Sequence, residues 1–138
     1  MREDIAQSGL SPEGTWYDLR GGGSLEVPVV MIHGVGLDHT MWEPQMPALE
    51  AAFCVLRYDM LGHGRSEARP VKDITTFVRQ LEDLLSYLDI TKMHLVGLSM
   101  GGVISQAFAG SAPSRLKTLV LMNTVYRRTE EELTGMRH

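Results

Sequence analysis

Between residues 73 and 90 the chain reads DITTFVRQLEDLLSYLDI, and Phe77, Leu81, Leu84, Leu85 and Leu88 recur at the spacing of one helical face. The pattern predicts an amphipathic helix laid against a core. Elsewhere the apolar positions come in short runs. TWYDLRG (15–21) has the aromatic content of a strand ended by glycines and predicts an edge strand. VPVVMIHG (27–34), FCVLRYD (53–59), KMHLVG (92–97) and LKTLVLMN (116–123) are β-branched or leucine-rich runs of buried-strand length. DHTMWEPQMPALEAA (38–52) predicts a short helix interrupted by two prolines, MLGHGRSE (60–67) a turn, and SMGGVISQAFAGSAP a helix that opens at Ser99 and stops before Pro113. Strands alternating with helices predict an α/β architecture, with a mostly parallel sheet covered on both faces. At 129–132, TEEE has the capping-box pattern of Thr129 with Glu132 three residues on, so a helix is expected to begin there.

Composition narrows the classes of function. The chain has 138 residues, 43% of them hydrophobic and 22% charged, which fits one folded domain. Thirteen basic and seventeen acidic side chains give a formal charge of −4, and the basic residues are scattered, so nucleic acid is not expected as a partner. The start, MREDIAQSGL, carries no apolar h-region, and no apolar run approaches the roughly 20 residues that span a bilayer; a soluble, cytoplasmic protein without a membrane partner is expected. Cys54 sits in an apolar run and reads as a buried, inert thiol. The five histidines, His33, His39, His63, His94 and His138, form no H-x-x-x-H or Cys/His cluster, which disfavours a metal centre.

The chemistry concentrates in one pentapeptide. Gly97-Leu98-Ser99-Met100-Gly101 is a G-x-S-x-G sequence placed between an apolar strand and a helical pattern. Such a serine must sit in a strained turn, where side chains at 97 and 101 would collide with neighbouring backbone. Ser99 then lies at a helix N-terminus, where free N–H groups and the helix dipole favour negative charge. An oxyanion formed by its attack on a carbonyl would meet the Met100 N–H. HGVG (33–36) follows the preceding strand, and the Val35 N–H is the best candidate for the second donor, with Gly34 giving room and the His33 ring supporting the loop. Trp42, Met41 and Met46 either line an acyl pocket or pack the core; the sequence leaves both open.

Taken in order, VVMIHGVGLDHTMW, LRYDMLGHGRS and LVGLSMGGV resemble the amino-terminal half of an α/β-hydrolase, and GLSMGG is similar to the 3-oxoadipate enol-lactonase and carboxylesterase branch. The resemblance covers roughly residues 15–125 and implies a serine hydrolase of carboxylic esters or lactones that needs no cofactor. Serine at 99 separates the chain from the dehalogenase and epoxide hydrolase branches, which use aspartate there. In the resembled family the acid and then the histidine follow the serine, and the sheet has eight strands in the order 1-2-4-3-5-6-7-8. After Ser99 this chain offers only Glu130, Glu131, Glu132 and His138, none at a strand end, while Asn123 closes the last strand with an amide. Asp59 and His63 read as organisers of a turn, and His94 as a satisfied sheet residue.

The resemblance therefore implies about six strands, residues 1–125 forming the core portion and 126–138 the start of a lid, without the last strands. The expectation is an amino-terminal fragment whose acid, base and remaining strands reside on a second polypeptide that would cover strand 116–123; that strand exposed in a monomer would count against the arrangement. A catalytically silent binding module, an inactive truncation, and perhydrolase, C–C hydrolase or acyltransferase chemistry on the same scaffold remain alternatives. The small-molecule substrate is not identified by these residues.

Overall fold

The computed structural model of the chain describes residues 4–123. The predicted helix start at Thr129–Glu132, the lid segment 126–138 and His138 lie outside the described residues. Six strands, β1 (Ile5–Leu10), β2 (Trp16–Gly21), β3 (Val29–Ile32), β4 (Cys54–Tyr58), β5 (Met93–Leu98) and β6 (Leu116–Met122), form one sheet in the order β1-β2-β4-β3-β5-β6. The β1–β2 and β2–β4 pairs are antiparallel, and β4–β3, β3–β5 and β5–β6 are parallel. Three α-helices, α1 (Met46–Ala52), α2 (Ile74–Tyr87) and α3 (Met100–Ser111), make the crossovers.

The period-2 alternation of the central strands sorts their side chains between two layers. Val30 and Ile32 of β3 join Leu56 and Tyr58 of β4, Leu95 of β5, Leu81, Leu84 and Leu85 of α2, and Ile104 and Phe108 of α3 in the larger core. Val29, Met31 and Val55 turn to the other face and pack with Trp42 and Met46. Both faces of β3 and β4 are covered, which is why β3 is apolar throughout and β4 is apolar but for Arg57, whose guanidinium is paired with Asp18 and Glu43. On α2 the predicted stripe is the buried one, with Leu81, Leu84 and Leu85 inside and Phe77 and Leu88 packed beside them; Gln80 is buried among them as well.

The two prolines of segment 38–52 divide rather than destroy the helix. Pro44 falls in a 3₁₀ segment (His39–Gln45), and Pro47 occupies the first turn of α1, where its missing N–H costs nothing.

Two strand expectations need correction. The segment 15–21 is not an edge: β2 pairs on both sides, and the edge beyond it is β1, which sequence patterning left unread. β1 buries little, so the backbone ladder rather than a hydrophobic alternation defines it.

The other edge is β6, where Leu119, Val120 and Met122 are 37%, 41% and 42% exposed. Burying side chains of this size contributes about 1.5–3 kcal/mol each, so this edge leaves much of that contribution unrealised.

An exposed apolar edge strand templates pairing with another chain. Val120→Lys is expected to lower self-association in sedimentation experiments while changing stability by no more than about 0.5 kcal/mol; unchanged self-association would show that β6 is not the sticky surface.

Candidate active site

The chain leaves β3 toward β4 on one side and leaves β5 toward β6 on the other. The carboxyl ends of β3 and β5 are therefore a topological switch point, where adjacent loops diverge and open a crevice. Segment 33–36 and Ser99 meet there. A methyl group built on Gly34 would lie 3.3 Å from the Ser99 Cβ and 3.5 Å from the Leu98 carbonyl oxygen.

Ser99 separates β5 from α3 with φ 55° and ψ −116°. A positive φ costs a non-glycine residue energy and persists only where surrounding structure enforces it. The enforcement is visible on both sides. The Ser99 N–H donates to the Met122 carbonyl at 2.9 Å, while the Ser99 carbonyl accepts from the N–H groups of Gly102 (2.9 Å) and Val103 (3.1 Å). A side chain at Gly97 would run into the Gly101 carbonyl and lie 2.6 Å from the Ser105 hydroxyl. One at Gly101 would run into the Ile32 carbonyl oxygen and come within 2.6 Å of the His33 carbonyl oxygen. The first turn of α3 thus rests directly on the end of β3. Ser99 itself is exposed and Met100 half-buried.

His33 is fully buried, and its ring is fixed at both nitrogens. Nε2 accepts from the Met60 N–H at 2.9 Å, so the ring proton must reside on Nδ1, which donates to the Gly34 carbonyl at 2.7 Å. Burial lowers the pKa of His33 below 6.5, with the neighbouring His63 adding to the effect and the Gly34 hydrogen bond opposing it. Val35, which follows Gly34, is 62% exposed, and Leu37 is exposed as well.

Asp59 is buried and wholly engaged. Oδ1 accepts from the His39 N–H and pairs with His39 Nδ1, each at 2.8 Å, and Oδ2 accepts from the Arg65 N–H at 3.0 Å. It joins the start of the 3₁₀ segment to the 60–66 turn. His63 Nδ1 lies 3.0 Å from the Leu61 carbonyl oxygen, and His94 Nδ1 lies 2.9 Å from the Thr118 hydroxyl across β5 and β6. Asn123, at φ 45°, closes β6. Each of the four described histidines has a defined partner outside the elbow. Trp42 is 2% exposed and packs in the core with Met46, and the partly buried Met41 lies against them.

The sequence missed two partners. His39 stands against Asp59, and Gln80 grips the 59–61 backbone; only the buried position of 80 on the α2 stripe could have signalled the second. Asp38, His39 and Asp59 bring potential ligand atoms within 4.8 Å of one another, but Asp59 Oδ1 serves His39 and Asp38 Oδ1 serves the N–H and hydroxyl of Thr40.

Two outcomes follow from this packing and from the buried ring. Gly101→Ala is expected to destabilise the fold by about 1–3 kcal/mol in urea unfolding, because the added methyl meets backbone that has no side chain to rotate away; a neutral result would remove the close helix–strand contact. For His33, the unfolded ring takes up a proton as pH falls through about 6.5 while the folded ring resists it. Its contribution to stability is therefore complete above about pH 6.5 and is lost as pH falls toward the lowered folded value. Imidazole titration by NMR should show protonation of His33 only below its ordinary range, and protonation at the ordinary value would contradict the burial.

A model of the α/β hydrolase fold matches residues 27–134. The chain is 41% identical over 108 residues to the dihydrolipoyllysine-residue acetyltransferase component of an acetoin cleaving system from Pseudomonas putida, covering 78% of this chain and 29% of that protein. It is 30% identical over 104 residues to 3-oxoadipate enol-lactonase 1 from Acinetobacter baylyi, covering 75% of this chain and 39% of the relative. The crystal structure of the enol-lactonase from Burkholderia xenovorans LB400 superposes with a TM-score of 0.73 at 34% identity, over 86% of this chain and 46% of that one. The chain thus spans less than half the length of these three relatives. With the matched family model, the sheet order and the relatives in agreement, the chain belongs to the α/β hydrolase fold family.

Proposed function

We propose that this chain carries the nucleophile and oxyanion-binding portion of a serine hydrolase of carboxylic esters or lactones. The observation that carries the reading is Ser99 held at φ 55° on the turn between β5 and α3, at the switch point of the sheet. A serine in this position presents its hydroxyl above the strand ends, as a nucleophile requires. The similarity to two enol-lactonases supports a lactone or ester as substrate.

On this reading Ser99 Oγ attacks the carbonyl carbon and forms a tetrahedral oxyanion. The Met100 N–H at the start of α3 and the Val35 N–H of the 33–36 loop stabilise that charge. A histidine takes the serine proton and returns it to the leaving alkoxide, and the same histidine then activates the water that releases the acyl group; a carboxylate holds the histidine in the required tautomer. On this reading the base and acid come from outside residues 4–123, either on the same polypeptide or on a separate one. The exposed Val35 and Leu37 favour an apolar acyl group. Acyl transfer to an acceptor other than water is the second reading, favoured by the similarity to the acetyltransferase component.

A fluorophosphonate probe, which reports an activated serine, tests the proposal. The hydrolase complete with its acid and base is expected to be captured stoichiometrically at Ser99, and Ser99→Ala to abolish capture. The 138-residue chain alone is expected to react slowly if at all, since a site lacking triad members retains only about 10³–10⁴-fold acceleration over water. No capture by the complete protein would leave a binding module in place of an enzyme.

A further inference from the structure

We infer that Gln80, buried on α2 far along the chain from the elbow, is a positioning residue for the Val35 N–H, acting through a head-to-tail chain of hydrogen bonds that runs Gln80, peptide 59–60, His33, peptide 34–35. The inference rests on the proposed role of Val35 as an oxyanion donor only at its last step; the chain itself is geometry.

Gln80 is 3% exposed and fully satisfied. Its Oε1 accepts from the Leu61 N–H at 3.1 Å, and its Nε2 donates to the Asp59 carbonyl at 3.0 Å and to the Thr15 hydroxyl at 3.1 Å. These partners fix the amide's orientation, because an N–H and a carbonyl oxygen cannot exchange roles. The Asp59 carbonyl and the Met60 N–H belong to one trans peptide and point in opposite directions. Gln80 therefore donates into one side of that peptide, and its other side donates to His33 Nε2 at 2.9 Å. His33 repeats the arrangement. It accepts at Nε2 and donates from Nδ1 to the Gly34 carbonyl at 2.7 Å, whose peptide partner on the opposite side is the Val35 N–H. Every unit accepts at one end and donates at the other, all in the same sense. Hydrogen bonds so aligned polarise one another in a low-dielectric interior, and the terminal donor is the one strengthened. The chain also aims that donor, since holding the Gly34 carbonyl sets the plane in which the Val35 N–H lies.

The residue type matters. A leucine at 80 would fill the same core but leave the Asp59 carbonyl and Leu61 N–H unpaired. A glutamate would still accept from Leu61 but would set a carboxylate oxygen against the Asp59 carbonyl.

The test is NMR on the 138-residue chain with isotopically labelled histidine and backbone nitrogen. The wild type is expected to show a scalar coupling across the hydrogen bond between the Met60 nitrogen and His33 Nε2, and a single His33 tautomer protonated at Nδ1. Gln80→Met is expected to mix the His33 tautomers and move the Val35 nitrogen resonance upfield. Thr15→Val removes another hydrogen bond of Gln80 outside the chain, and is expected to lower the melting temperature while leaving the His33 and Val35 signals in place. Unchanged His33 and Val35 signals in folded Gln80→Met, or equal changes in Thr15→Val, would overturn the inference. Should Gln80→Met not fold, absence of the wild-type coupling would overturn it and its presence would support it. Fluorophosphonate capture is scored separately in the complete hydrolase, where Gln80→Met is expected to slow it several-fold, short of the roughly 10²–10³ lost with an oxyanion donor. Loss of capture in the parent protein with the coupling intact would strike the hydrolase reading and leave the hydrogen-bond chain standing.

Discussion

The contact between the first turn of α3 and the carboxyl end of β3 sets the geometry of the whole crevice. No side chain fits at Gly101 because the Ile32 and His33 carbonyl oxygens occupy its place, and none fits at Gly97 because the Gly101 carbonyl does. With both positions bare, the helix can begin immediately after β5 instead of after a loop, and the residue between them is forced to a positive φ. A longer, relaxed connection would remove the strain from Ser99 but would also withdraw it from the β3 loop. The strain is stored locally and balanced by the two layers of core that clamp β3 and β5 from opposite faces.

A second constraint keeps the crevice's other wall in place. Segment 33–36 has no regular secondary structure, and its backbone is held by a buried imidazole rather than by a ladder. A neutral His33 can accept at one nitrogen and donate at the other, whereas a charged ring would set an N–H against the Met60 N–H. Desolvation and hydrogen bonding therefore favour the same protonation state. Asp59, next to the Met60 whose N–H binds His33, performs a related task, tying His39 and Arg65 to the end of β4. Buried polar side chains such as His33 and Asp59 thus hold the loops at these strand ends.

How much of this was readable depended on whether a feature has a local cause. The α2 stripe, strands β2 to β6 and the elbow glycines are local consequences of periodicity and close approach, and the 97–101 sequence carries its own strand–turn–helix context. β1 was not readable because its existence depends on pairing with β2, and β2 was misread as an edge for the same reason. Gln80 looked like one polar residue on a helix; its burial follows only from where the 59–61 backbone lands. Trp42 could be assigned to pocket or core only after α1 had been placed on the sheet.

On the proposed reading, the labour of such a site divides between groups beside the new bond and groups that move the proton. Attack on a carbonyl and stabilisation of the resulting oxyanion draw on groups adjacent to the new bond, and on the proposed reading both come from loops after β3 and β5, neighbours at the centre of the sheet. Proton transfer draws on a base and an orienter that approach from the far side of the serine, so they need not share those strands. β6 lies beside β5, and the carbonyl of its last residue, Met122, accepts from the Ser99 N–H. Whatever packs on the exposed β6 edge would press on the elbow through that hydrogen bond. On the proposed reading, covering Leu119, Val120 and Met122 would bear on Ser99 through that same hydrogen bond, since the Met122 carbonyl accepts from its N–H.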